Sequence, residues 1–319
     1  MSPLAHNLLL NAVGKAGHRL VAVGERGTIL LSNDEGNTWS QSRVPVSVTL
    51  TDVAFVSDDV GFAVGHSGVL LETRDGGETW VKRLDGRDII RLVQREAESE
   101  PGAEALARYA DLIGRDGPDK PLLDIWFDPR GGVIATGAFG LMLQSNDGGK
   151  TWESKTGNAV ESGWRHLYAI VPDGERRYLV GEQGRVLLSN NDGEDYKRLQ
   201  VPYDGSFFGA LLNEEQRLLV YGLRGNVLLY DAVSGRWQRL STGTNASLST
   251  GVVLEDGTLL LASNAGEFFF SKDNGMTFTK SGYTHRAAVT DLIQLSAEDL
   301  VLATTRGVSR VGISNVLQR

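Results

Sequence analysis

Residues 65–80 read GHSGVLLETRDGGETW: a glycine turn, a short apolar run, then an acidic turn closed by an aromatic residue. The same phrase stands at 24–39 as GERGTILLSNDEGNTW. Outward from these two copies the glycine turn recurs as GAFG at 137–140, GEQG at 181–184 and GLRG at 222–225. It returns, with its first glycine lost, as SNAG at 263–266 and TTRG at 304–307. The closing glycines, at 27, 68, 140, 184, 225, 266 and 307, are separated by 41, 72, 44, 41, 41 and 41 residues. A period near 41 with four short strand-like runs has the size of one propeller blade, whereas helical repeats of that length carry apolar residues at a 3.6-residue spacing. In the second unit the runs at 51–56, 61–64, 69–73 and 80–84 are expected as its four strands. The expected fold is all-β: a seven-bladed propeller of four-stranded antiparallel blades forming one domain over 1–319.

The acidic turn between the third and fourth strands is SNDEGNTW at 32–39, TRDGGETW at 73–80, SNDGGKTW at 145–152 and SKDNGMTF at 271–278. These are Asp-boxes. The carboxylates of Asp34, Asp75, Asp147 and Asp273 are placed to accept backbone N–H groups across the turn, the glycine permits the reversal, and the aromatic wedges into a neighbouring apolar layer. Blades four and five keep weaker versions, SNNDGEDY at 189–196 and YDAVSGRW at 230–237. With one carboxylate per box on separate blades, the repeat suits structure rather than catalysis or metal binding. The seventh unit stops after a strand at 308–313 without a box, so its fourth strand is expected from the other terminus, near 3–7.

Composition narrows the function. Hydrophobic residues at 41% and charged residues at 23% are ordinary globular values, and 39 glycines against 8 prolines suit many tight turns. A net charge of −8 disfavours a broad grip on phosphate backbones, so nucleic acid is not an expected partner. No apolar run approaches the roughly 20 residues of a spanning helix. The chain has no cysteine, which removes disulfides, thiol nucleophiles and thiolate metal sites, and its histidines, at 6, 18, 66, 166 and 285, lack ligand spacing. No cofactor or metal is expected.

The coupling of glycine turn and Asp-box at this period resembles the photosystem II assembly and stability factor family of seven-bladed propellers and its relatives in non-photosynthetic bacteria. The resemblance implies a non-catalytic accessory protein outside the cytoplasm that contacts a membrane protein complex, and, for the bacterial relatives, association with RND-type exporters. Photosynthetic members carry an arginine-rich patch on one face; the acidic balance here departs from that and argues against a photosystem partner. A periplasmic location follows from kinship, with any secretion signal removed and a cytoplasmic location as the alternative. Asp-boxes also occur in sialidases and other glycoside hydrolases, so a hydrolase, or a propeller holding a sugar or a small hydrophobic ligand, is the competing reading.

In such blades the glycine turns and the blade-to-blade connections share one end, and loops on a rigid scaffold are where binding usually resides. There the turns present Arg26, His66, Phe139, Arg224 and Arg306, and the connections add Trp164, Arg165, His166, Tyr203, Tyr283, His285 and Arg286. Arginine among tryptophan and tyrosine is the composition of interface hot spots, although exposed arginines can equally serve only to solvate a turn. The long second-to-third interval places an insertion at 85–120, whose apolar spacing, Ile89, Ile90, Val93 and Ala97, then Ala103, Leu106, Ala110 and Ile113, reads as a helical hairpin broken by SEPG. It is expected at the same end, as a cap, a docking element or a packed stripe. Asp52, Asp124 and Asp291, with Asn11, lie at matching positions 13 residues before the turn. A ring of acids there would suit acid–base chemistry, while backbone capping is the plainer account.

Overall fold

The computed structural model describes residues 7–128, 130–160 and 163–318. Its strands form seven antiparallel sheets, each ordered as in the sequence. Their first strands are Leu10–Ala16, Leu50–Phe55, Leu122–Phe127, Leu167–Asp173, Phe207–Leu212, Leu248–Val253 and Val289–Gln294. Six sheets have four strands, and the seventh has three among the described residues, Val289–Gln294, Asp299–Thr304 and Gly307–Gly312. The protein is a seven-bladed β-propeller of four-stranded antiparallel blades. The expected strand donor for blade seven falls mainly on residues 1–6, outside the described residues.

By backbone contacts the chain divides into two compact units. Residues 14–170 with 194–196 carry blades two and three and most of blade one, and residues 171–193 and 197 onward carry blades five to seven and most of blade four; the first strands of blades one and four are each divided between the units. Within both, the second strand is buried at every position, as in Gly61–Gly65 and Leu218–Gly222, or at all but its first, as in Arg19–Gly24, Arg176–Gly181 and Asp299–Thr304. Such strands are covered on both faces, which is why their sequences read as continuous apolar runs instead of alternating ones. The fourth strand faces solvent, as Val81–Leu84 does, and in blades one, three and four it is only two residues long. Short outer edges leave little unpaired backbone to recruit another chain.

The insertion forms helix α1, Gly86–Ser99, and helix α2, Glu104–Asp116. Asp85 caps α1: its carboxylate accepts the Arg87 N–H, while the Asp88 carboxylate accepts the Asp85 N–H. The helix begins against the glycine turn of blade two, so tightly that a Cβ on Gly68 would stand 2.6 Å from Ile89 Cδ1 and 2.8 Å from Gly86 Cα. From there it runs between the fourth strands of blades two and three, with Glu96 accepting the N–H groups of Thr156 (3.1 Å) and Gly157 (2.8 Å). Ile89, Val93, Leu106, Ala110 and Ile113 join the core that contains Phe62, Leu122 and Leu143. The hairpin therefore starts at the expected end, but it fills the outward-opening wedge between two blades instead of lying across one face.

The Asp-boxes act as clasps. Thr38, Thr79, Thr151 and Thr277 N–H groups donate to Asp34, Asp75, Asp147 and Asp273 at 2.8–2.9 Å, and each threonine hydroxyl bonds the second carboxylate oxygen. In Asp34 the Thr38 hydroxyl, and in Asp147 the Thr151 N–H, lead the hydrogen bonds that hold the carboxyl down at about 2. The box glycine then sits against the preceding blade. Gly149 has φ +83° and a Cβ there would stand 2.4 Å from the Phe62 ring, whereas Gly148, at φ +73°, has open space. Both positions penalise a side chain through the backbone, and only Gly149 adds overpacking. Urea unfolding should show Gly149→Ala costing roughly 1–3 kcal/mol more than Gly148→Ala; equal midpoints for the two variants would mean that the box does not grip its neighbour.

Candidate functional site at the glycine-turn end

The turn itself is strained. All seven closing glycines have positive φ, from 62° at Gly68 to 91° at Gly307. In five turns the preceding residue is also left-handed although it carries a side chain: Arg26, Ser67, Phe139, Gln183 and Arg224 lie at φ 55–57°. Two successive left-handed residues match the strand twist, at a cost of about 1–2 kcal/mol for a non-glycine residue. Arg306 does not share this conformation, because Thr304 pairs with Gly307 in a tighter hairpin, so the equivalence of Arg306 with Arg26 and Arg224 holds in the sequence only.

Phe139 is the sharpest case: a bulky residue in the left-handed region, 39% exposed at the tip of its turn. The His166 ring meets it edge-on at 4.8 Å, and its backbone N–H donates to His166 Nδ1 at 3.2 Å. On the other side the Lys120 ammonium stands 5.9 Å from its ring centroid. His166 in turn stacks edge-on with Tyr168 at 5.9 Å. An exposed ring held in a disfavoured backbone conformation by flanking groups is a preorganised contact point.

A second aromatic cluster lies in the other unit. Tyr203 donates its hydroxyl to the Leu223 carbonyl at 3.0 Å, receives a hydrogen bond from Asn226 Nδ2, and lies under the Arg239 guanidinium at 5.6 Å. Beside it Leu223 and Arg224 are exposed. Arg26, Arg224, Arg286 and Arg306 are exposed and make no ion pair among the described residues; His66 is exposed on its turn, and Arg165 is half-buried with its carbonyl facing Gly140. Other expected contact residues are engaged internally. Trp164 stacks on Tyr109 of α2 at 5.5 Å, and Tyr283 packs on Phe268 at 5.8 Å. His285 is bonded through both ring nitrogens, to Ala287 O and to Ser309 Oγ, each at 3.1 Å. Tyr109 was missed in the sequence because its hydroxyl masks a position that is wholly buried; burial pushes that hydroxyl's pKa up.

The inner acids are bonded across blades. Asp52 accepts the Ile125 N–H (3.0 Å), Asp124 that of Ile170 (2.6 Å) and Asp291 that of Val13 (2.9 Å), each on the first strand of the following blade. These carboxylates cap backbone, as the plainer account expected, and they do so across to the next blade as well as locally: Asp291 also accepts the Leu292 N–H of its own strand at 2.8 Å. Burial first, then the neighbouring Asp124 charge, pushes the Asp52 carboxyl well above its ordinary value.

With this geometry in place, comparison with known proteins decides the lineage. The family model described as "Photosynthesis system II assembly factor YCF48" matches residues 37–96 and 117–287. The chain belongs to that family. The unmatched interval, 97–116, covers the end of α1 and all of α2, so that part of the hairpin stands outside the family pattern. The chloroplastic photosystem II stability/assembly factor HCF136 of Arabidopsis thaliana is 26% identical over 60% of this chain and 53% of its own length. The photosystem II assembly lipoprotein Ycf48 of Synechocystis is 34% identical over 32% and 29%. The chain thus spans about half the length of the first of these relatives and less than a third of the second. Among solved structures, YCF48 bound to D1 peptide superposes with a TM-score of 0.71 at 17% identity, covering 96% of this chain and 93% of that one. The GH74 xyloglucanase from Xanthomonas campestris gives 0.65 at 12% identity over 96% and 52%. At these identities both matches report the fold alone.

The Asp52 proton makes a pH-dependent prediction. Below about pH 4 the carboxyl is protonated whether the chain is folded or not. As pH rises, the unfolded chain loses that proton while the folded one keeps it, so this group's contribution to stability falls until the folded carboxyl itself ionises. Asparagine imitates the protonated acid, accepting the Ile125 N–H without a charge. Asp52→Asn should be at least as stable as the parent at pH 7, with the advantage vanishing near pH 4, while Asp52→Ala should cost about 1–3 kcal/mol at both by orphaning the N–H. Thermal melts at the two pH values check this; an Asn variant as damaged as the Ala variant at pH 7 would show that the ionised form is required.

Proposed function

We propose that the chain works as a single non-catalytic domain, an assembly or accessory factor that holds a segment of a membrane protein complex against its glycine-turn end. The observation that carries this reading is Phe139, a strained and exposed aromatic flanked by His166 and Lys120. A protein retains a strained exposed ring where the ring has a use, since glycine would serve the turn better. Family membership supports an assembly role, and the solved YCF48 bound to D1 peptide offers a precedent for a membrane-protein segment as ligand. Arg26, in the same unit as Phe139 and without an ion pair among the described residues, adds a donor for backbone carbonyls or carboxylates of the bound segment. We place the protein in the periplasm, in keeping with relatives described as lipoproteins, and take an RND-type exporter as the complex suggested by non-photosynthetic kinship.

A glycoside hydrolase is disfavoured by what the acids do. Hydrolysis needs one carboxyl free to give a proton and a second free to attack or activate water. Here the box carboxylates are saturated by threonine and backbone groups, and Asp52, Asp124 and Asp291 are bound to backbone N–H groups.

The test exploits the strain. Phe139→Gly should leave the melting temperature unchanged or raise it, since glycine tolerates φ near 57°, while recovery of the membrane complex from native membranes should fall roughly tenfold or more, as for a hot-spot truncation. Undiminished recovery, or recovery lost only in step with stability, would make Phe139 a structural residue and sink the reading. Mass spectrometry of the recovered complex tests the exporter assignment, and turnover of aryl-glycosides abolished by Asp52→Asn or Asp124→Asn would revive the hydrolase.

A further inference from the structure

Between α1 and the fourth strand of blade three the surface opens into a groove of about 330 Å³ at one end, continuous with a second recess along the helix. Arg83, Arg91, Arg95 and Lys150 line the first end, over a floor of Leu92 and Trp152. Two of the cations are paired, Arg83 with the buried Glu72 and Arg91 with Asp88. Arg95 and Lys150 are exposed and have no ion-pair partner among the described residues. Trp152 already donates its indole N–H to the Gly149 carbonyl at 3.0 Å, so what it presents to the groove is ring surface. The far recess is mixed in charge: Glu100 lines it beside Arg95 and the Glu153–Lys155 pair (3.9 Å), with Glu96 committed to the Thr156 and Gly157 N–H groups.

We propose that this groove is a docking site for a short acidic–apolar peptide segment. Its carboxylates would engage Arg95 and Lys150 while an apolar side chain lies on Leu92 and Trp152. Charge complementarity carries the assignment. A chain of net charge −8 gathers four cations here beside a half-exposed apolar floor, and charge-assisted bonds to arginine are the strong ones. The groove sets polarity, because Arg95 and Lys150 stand without an ion pair among the described residues at one end, while at the other Lys155 is paired with Glu153 and Glu100 adds a negative charge. A flat anionic membrane would meet Glu100 and Glu153 at the rim as well as the cations, which favours a narrow peptide over a lipid surface. The site lies on the flank of the blades and does not depend on the role given to the glycine-turn end.

The full chain would be titrated, by fluorescence anisotropy, into a labelled peptide of alternating Glu and Leu and into its Gln-for-Glu counterpart. The acidic peptide should bind at least about tenfold more tightly, weaken with added salt, and lose about tenfold or more against the double variant Arg95→Glu/Lys150→Glu. Both substituted side chains are exposed, and an unchanged melt would show that the variant is folded. Phe139→Gly should leave the affinity intact, which separates this site from the turn end. Equal binding of the two peptides, indifference to the charge reversal, or binding of phosphatidylglycerol vesicles in place of the peptide would each overturn the proposal.

Discussion

The structure depends on how the first strand of one blade is tied to the first strand of the next. At that strand the register slips by one residue, between Leu50 and Asp52 in blade two and between Val289 and Asp291 in blade seven. A bulge re-aims side chains, and here it turns two successive residues toward the neighbouring blade. The hydroxyl at the bulge donates to a carbonyl: Thr51 to Leu122, Ser249 to Val289 and Thr290 to Leu10, at 2.5–2.8 Å. After Thr51 and Thr290 the carboxylate that follows, Asp52 or Asp291, accepts an N–H three residues beyond that carbonyl, whereas Ser249 is followed by Thr250, whose hydroxyl donates to Asp291. Two backbone groups that no sheet ladder could satisfy are thereby paired, and a buried polar group left alone would cost about 1–3 kcal/mol.

That device decides what the inner acids are for. A carboxyl engaged by a neighbour's N–H and pushed toward its neutral form by burial is a linker, not a free acid–base pair. Chemistry at the inner strands is therefore subordinate to holding blade to blade, and variation is left to the turns and connections, where a scaffold of this stiffness can keep a residue such as Phe139 in a conformation it would not choose. Strain at the turn and satisfaction at the inner strand are two sides of one arrangement.

Much of this was legible in the sequence because it repeats. The glycine at the end of each turn and the Asp-box are local rules, requiring only a positive φ or a carboxylate four residues before a threonine N–H, and the repeat displays the first seven times and the second four. What escaped is non-local. Asp52 and Ile125 are 73 residues apart, and nothing near either reveals the partner. Trp164 and Tyr283 have the composition of contact residues, yet tertiary packing set them against Tyr109 and Phe268. The hairpin's helices were visible from their apolar spacing, but not their berth, which depends on Glu96 reaching Thr156 and Gly157. The C-terminal helical turn, Ile313–Val316, is too short to leave a periodic signal, and its place is fixed by core packing and by the Gly282 N–H bonded to Gln318 O at 2.8 Å.

The start of α1, with Ile89, Leu92, Val93 and Arg95, lies within the family pattern, while the end of α1 and all of α2 stand outside it. Blades splay outward, and the wedge between two fourth strands is ordinarily closed by their own side chains. Inserting α1 there buries Ile89 and Val93, which secures the helix, and simultaneously exposes a face that neither blade would have had. Leu92 and Arg95 share that face, one turn apart on the side away from Val93, so the helix that must be apolar inward is free to carry any chemistry outward. Opposite them stands Trp152, fixed by its own Asp-box through the bond to Gly149. One wall of the groove is thus built by the repeat and the other by the insertion, so the repeat supplies a rigid aromatic and the insertion supplies the charge.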